Sequence, residues 1–185
     1  MRDVIEIETK RLKLRRVRMS DAPRVARFCN DPGVGRMLAQ TPLPYLEAAA
    51  EGWILTLNAR RSLAQDFVFA ALLPGEGLIG VVGAHSRAKS EFEIGYWFGR
   101  PYWGQGYGTE AVSAFVAEAR QLGALAAGHF VDNPASGRVL RKVGFDYTGE
   151  IKRMFSMARG ESIDCKRMRY LGAGVNGGQR AAAFA

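Results

Sequence analysis

Cysteine and histidine are both scarce, with two of each in 185 residues. Cys29 and Cys165 sit singly in apolar segments far apart in the chain. That pattern excludes a disulfide framework and reads as two small buried hydrophobes in a reducing compartment. His85 and His129 have no cysteine or histidine partner at ligand spacing, so no metal is expected. No apolar run is long enough to cross a membrane. The opening segment from Met1 to Glu8 alternates charged and apolar residues, unlike a signal peptide. The expectation is a cytoplasmic protein with no membrane partner. Internal repeats are absent.

Positive charge is in surplus, at a formal net of +8. The basic residues are scattered over Lys10 to Arg18, Arg60-Arg61, Arg138 to Lys142 and Lys166 to Arg169, and they build no recognisable nucleic-acid module. Direct nucleic-acid binding is therefore not expected. A basic surface equally suits an anionic ligand or a substrate on an RNA-rich particle. The length fits one domain, expected over residues 1–171. Residues 172–185 are rich in Gly and Ala without periodicity and read as a disordered tail.

Periodicity divides the chain into strands and helices. Leu12 and Leu14 alternate with Lys13 and Arg15, a half-buried strand. Ser20-Asp21 reads as the cap of a short helix carrying Ala22, Val25, Ala26 and Cys29 on one face. Asn30 to Gly33 reads as a turn, and residues 44–60 carry a second helical stripe. Phe67 to Leu73 and Leu78 to Ala84 form an expected hairpin around Pro74-Gly75-Glu76-Gly77. Glu91 to Phe98 is the next strand, and Thr109 to Leu122 is helical. Then follow a strand at Ala126 to Val131, a helix at Pro134 to Val143, and two antiparallel strands around Ala158-Arg159-Gly160. This order predicts an α+β fold, a mixed but mostly antiparallel sheet flanked by helices.

Chemistry concentrates between Pro101 and Glu110, where Gly104, Gly106 and Gly108 alternate with larger residues between a strand and a helix. Glycines there let backbone amides approach a ligand, and amides opening a helix favour an anion. The NTPase phosphate loop is excluded because no Lys follows Gly108. The spacing G-x-G-x-G is also not the dinucleotide G-x-G-x-x-G. Alone, this loop fits a phosphate site and a ligand-free turn equally.

A second element follows at the right distance: Asn133-Pro134-Ala135-Ser136, then Val143-Gly144-Phe145. Together the two motifs resemble the GNAT superfamily of N-acetyltransferases. Tyr96-Trp97-Phe98 followed by Pro101-Tyr102-Trp103-Gly104-Gln105-Gly106-Tyr107 is similar to its ribosomal-protein N-terminal acetyltransferase branch. The segment Thr9 to Arg16 with Ser20-Asp21-Ala22 fits the same branch. The resemblance spans roughly residues 8 to 171.

The resemblance implies a splayed central strand pair and acetyl-CoA as co-substrate, with direct transfer to an amine in a ternary complex. It places the pyrophosphate on the amides of Gly104, Gln105, Gly106, Tyr107, Gly108 and Thr109, and the pantetheine beside Tyr96, Trp97, Phe98 and Asn133. Where the family's loop begins with Arg or Gln, this chain has Trp103. Gly95 fits a strand bulge. Ser136 is expected near the sulfur, to protonate or hydrogen-bond the departing thiolate, although a plain helix cap would equally use a serine there. Arg138, Arg141 and Lys142 are expected mainly as solvated surface. Glu93 is the leading candidate for the general base. Glu91, His85 and His129 are weaker candidates, and a water relay with no single base stays open. The acceptor is an amine: a protein N-terminus by similarity, or an amino acid, polyamine or aminoglycoside. A non-catalytic acyl-CoA-binding regulatory module on the same fold is the alternative class. The chain is expected to be a monomer or a homodimer, with an exposed strand edge near the C-terminus available for pairing.

Overall fold

Alternating apolar residues force the sheet to bury both faces, and helices cover each of them. The computed structural model describes Met1 and residues 4–172. In chain order the elements are β1 (Glu6–Glu8), β2 (Lys13–Arg16), α1 (Ala22–Cys29), α2 (Pro32–Gly35), α3 (Glu47–Ser62), β3 (Asp66–Leu73), β4 (Gly77–Ala88) and β5 (Glu91–Phe98). They continue with α4 (Tyr107–Ala119), β6 (Ala124–Phe130), α5 (Pro134–Val143), β7 (Phe145–Ser156) and β8 (Glu161–Tyr170). The strands lie in the order β1-β2-β3-β4-β5-β6-β8-β7. Among the described residues only β5 and β6 pair in parallel. The long connection through α4 makes that parallel pair possible.

Two apolar cores sit on opposite faces. One joins Phe69, Val82, Ile94 and Phe98 of the sheet to Val112, Phe115 and Val116 of α4 and Leu140 of α5. The other joins Val68, Ala70 and Val81 to Val25 and Cys29 of α1 and Ile54 of α3. Hence the layers are α1 with α3, then the sheet, then α4 with α5. Both cysteines are buried and free, and burial lifts the Cys29 thiol to about 12.

Local reading and structure differ in four places. β1 is an additional strand, paired Ile7↔Leu14 on β2. The turn at Asn30 to Gly33 continues into the short α2, whose first turn is closed by the Asp31 carboxylate accepting from Gly33 N at 2.8 Å. Asp21 makes no side-chain cap on α1. It accepts instead from the two terminal nitrogens of the Arg15 guanidinium, at 2.7 and 2.8 Å. Gly95 is not a bulge: the β4–β5 register passes through Gly83↔Gly95 unbroken, and its shift lies between Ser86 and Ala88. The tail expected at residues 172–185 lies, beyond Gly172, outside the described residues.

Candidate active site

The central strands part at a definite residue pair. Parallel pairing runs from Glu91↔Ala124 to Ile94↔Ala127 and ends there. β5 stays with β4 as far as Phe98, whereas β6 continues to Phe130 against β8. A wedge therefore opens between β5 and β6 from Gly95 onward. The divergence lies on the β6 side, so β5 needs no extra residue against β4. Gly99 N donates to Ile79 O at 2.9 Å, which sets the phase of the ladder. By antiparallel alternation, Gly95 and Trp97 turn their N–H groups to β4, and Tyr96 and Phe98 turn theirs into the wedge. The Phe98 carbonyl points the same way and accepts from Trp103 Nε1 at 2.7 Å. Trp103 thus ties the loop to the strand end.

The glycine loop leads from the wedge to α4. Gly104 and Gly106 have φ of +75° and +82°, a region open to glycine at little cost. Gly108 has no such constraint, and a Cβ there would meet Phe98 only at ordinary contact distance, 3.7 Å. Gly106 is the N-cap, so the amides of Tyr107, Gly108 and Thr109 form the open first turn of a 13-residue helix. The Gln105 side chain donates to Pro101 O at 2.8 Å, and the loop is held from within. It is also held from β1–β2. Glu110 accepts from Thr9 Oγ1 at 2.6 Å, Arg11 N at 2.7 Å and Arg11 Nε at 2.7 Å. Arg11 Nη1 reaches Gln105 O at 3.0 Å, and its guanidinium lies 4.3 Å from the centre of the Tyr107 ring. The sequence gives no local sign of this clamp.

Ser136 and Tyr96 meet across the wedge. The Asn133 side chain accepts from Ser136 N at 3.2 Å and caps α5, in line with its extended entry and Pro134 in the first turn. The Ser136 hydroxyl is therefore not the cap. It lies 2.8 Å from Tyr96 Oη, which also lies 3.0 Å from Ser136 O. Burial pushes the Tyr96 phenol up to about 12 despite the Ser136 hydrogen bond. It stays protonated across the neutral range.

Glu93 lies on the opposite face, two residues before the wedge. Its carboxylate is gripped by Arg87 Nε and Arg167 Nη1, both at 2.7 Å. Burial works to raise its pKa, but the two guanidiniums outweigh it and hold it below the usual carboxylate range. On the same face His85 faces Glu93 across β4–β5 and Asp66 across β3–β4. Its Nδ1 is 3.0 Å from Asp66 Oδ1. Glu91 is exposed at the start of β5. His129 is buried, its Nδ1 donating to Phe130 O at 2.8 Å and its Nε2 accepting from Tyr147 Oη at 2.9 Å. Both its nitrogens are thus engaged in structure. Trp97 packs against the α1–α3 core, and Arg138, Arg141 and Lys142 are exposed on α5. The structure thus gathers Tyr96, Phe98, Gly104 to Thr109, Asn133 and Ser136 about one wedge and sets Glu93 and Trp97 behind it. Among the described residues no cluster of His, Cys, Asp or Glu could hold a metal ion, and no helix is long and apolar enough to cross a membrane.

A split parallel pair beside a glycine loop that opens a helix makes a cleft walled by two strands and a helix start. Residues 11–146 match the model of the acetyltransferase (GNAT) domain, and the chain belongs to that family of N-acetyltransferases. It is 27% identical over 162 residues to an N-acetyltransferase, p20, of Bacillus licheniformis, covering 84% of this chain and 90% of the relative. In fold it resembles RimJ of Mycobacterium smegmatis bound to a coenzyme A disulfide, with a TM-score of 0.74, 21% identity and coverage of 89% and 87%. It also resembles RimL, the ribosomal L7/L12 α-N-protein acetyltransferase in complex with coenzyme A, with a TM-score of 0.78, 17% identity and coverage of 89% and 96%.

Proposed function

We propose that this enzyme transfers the acetyl group of acetyl-CoA to a primary amine, and that the amine is the N-terminus of a protein. The observation that carries the reading is the wedge: two strand N–H groups, a helix-opening glycine loop and a Ser–Tyr pair converge on it. The residues fit the co-substrate. Gly106, at positive φ, caps α4 and leaves the first-turn amides without helical partners, and a pyrophosphate would take them. The thioester supplies the acyl group. Tyr96 and Phe98 N–H groups, fixed on β5, would hold its carbonyl oxygen and meet the negative charge that develops there. Ser136, backed by the protonated Tyr96 phenol, would hydrogen-bond or protonate the sulfur as it leaves. Glu93 is better suited to fixing Arg87 and Arg167 than to taking a proton, because a lowered pKa weakens a base.

The protein N-terminal acceptor rests on fold likeness to RimL and RimJ, and such likeness does not fix an acceptor. Amino acids, polyamines and aminoglycosides are therefore part of the test. Free-thiol release from acetyl-CoA is measured across peptides with free α-amino groups and these small amines, beside calorimetric titration of coenzyme A. Turnover on peptides alone supports the proposal. Turnover confined to a small amine replaces the acceptor, and tight coenzyme A binding without turnover replaces the enzyme with a binding module.

A further inference from the structure

On the α1–α3 face of the sheet a row of side chains crosses three strands: Asp66 on β3, His85 on β4 and Glu93 on β5. Asp66 is almost fully buried, and its carboxylate takes Arg60 Nε as well as His85 Nδ1. Burial tends to raise its pKa, but His85 and Arg60 outweigh that and keep it ionised. An ionised carboxylate only accepts hydrogen bonds, so the proton of neutral His85 sits on Nδ1 and the lone pair on Nε2. Among the described residues no hydrogen-bond partner engages Nε2. The ring is about a third exposed.

Nε2 also has somewhere to point. Gly83 and Gly95 stand opposite each other on β4 and β5. A Cβ on Gly83 would lie 3.3 Å from Nε2, and one on Gly95 would lie 3.9 Å from it. Val68 Cγ2 fills the Gly83 side, 2.8 Å from where that Cβ would lie, so the open space beside the ring is at Gly95. Gly95 is the first β5 residue past the last β5–β6 pair, so this space borders the mouth of the wedge. Tyr96 and Ser136 approach that mouth from the other face.

We propose that His85, held in one tautomer by Asp66, takes the proton of the incoming amine at Nε2, from the face opposite Ser136. The proposal rests on the acetyl-transfer reading and names the base within it. The ammonium gives one proton to Nε2 and becomes the nucleophile. The nitrogen forms a bond to the acyl carbon as the carbon–sulfur bond breaks. The second nitrogen proton goes to the thiolate, so the products are the amide and coenzyme A as the free thiol. Nε2 returns its proton to solvent. The charged groups around the ring are Asp66, Glu93, Arg60 of α3, Arg87 of β4 and Arg167 of β8, with Arg16 and Arg61 lining the cleft beside Asp66.

The test uses the full chain, acetyl-CoA and whichever amine of the panel gives thiol release. His85→Gln should lower kcat by about 10²-fold or more and flatten the rise of rate with pH, with the calorimetric affinity for coenzyme A unchanged. Imidazole should restore part of the rate to His85→Gly. Nitrogen NMR of the free enzyme, at a pH where the ring is neutral, should show the Nδ1–H tautomer at His85. Wild-type kcat and pH profile in His85→Gln, or an Nε2–H tautomer, would overturn the proposal and leave acetyl transfer intact. Absence of thiol release by the wild-type enzyme with every amine would overturn the acetyl-transfer reading itself, and this proposal with it.

Discussion

Ser136, Asn133 and Gly106 each act through one or two atoms, and each can be tested singly. Ser136→Ala removes the hydroxyl 2.8 Å from Tyr96 Oη while leaving the Asn133 cap in place. Thiol release should fall about 10²-fold or more in kcat, with little change in the melting temperature. Tyr96→Phe should show a smaller loss in the same assay, because Ser136 keeps its position. Asn133→Ala removes the acceptor for Ser136 N and should cost about 1 kcal/mol in denaturant unfolding. Gly106→Ala places an L side chain at φ +82°, which costs about 1–2 kcal/mol. The same change tilts the first amides of α4, so coenzyme A should also bind more weakly by calorimetry. Ser136 was singled out from its place in the Asn-Pro-Ala-Ser run, and the structure sets its hydroxyl beside Tyr96 Oη. Which residue caps and which reaches the wedge was not legible, because either side chain can cap a helix.

Elements with strong local patterns were the most legible. β5 and α5 begin and end where alternation and the Asn-Pro cap place them. β1 escaped because three residues, two of them charged, carry no usable period. α2 escaped because Pro and Gly read as a turn, yet Asp31 and Pro32 supply a helix start. The bulge expected at Gly95 failed for another reason. Glycine in a strand marks either an extra residue or a close approach, and here Gly83 lets Val68 and the His85 ring close on the strand while Gly95 leaves room beside Nε2. Long-range pairs were beyond any local reading: Arg11 and Glu110 are 99 residues apart, and Arg167 and Glu93 are 74 apart. The Arg11–Glu110 clamp yields a prediction for its element. Glu110→Ala should loosen the loop from β1–β2 and weaken coenzyme A binding, with hydrogen exchange rising at the first turn of α4 before the rest of the helix.

Across the whole molecule, acid sensitivity follows from four paired carboxylates. Asp66, Glu93, Glu110 and Asp132 all have pKa values below their ordinary range. For Asp132 the Arg159 hydrogen bond is the main cause. For the other three, cationic or hydrogen-bonding partners outweigh burial. Folding therefore gains from their ionised forms above the ordinary carboxylate values of about 4. That gain disappears as pH falls through the lowered values. Melting temperature should hold near neutral pH and drop below about pH 4. Glu93→Gln should flatten part of that drop.

β7 forms the outer border of the sheet. It slips register against β8 between Tyr147 and Ile151, with Gly149 at φ +85°, and it carries Lys152 and Arg153 exposed. A broken, positively charged border is a poor template for another strand, even with Ile151 and Phe155 exposed on it. In a concentrated solution, then, this chain should resist growing into fibres from that side, and its copies should scatter light as separate particles until salt screens the lysine and arginine.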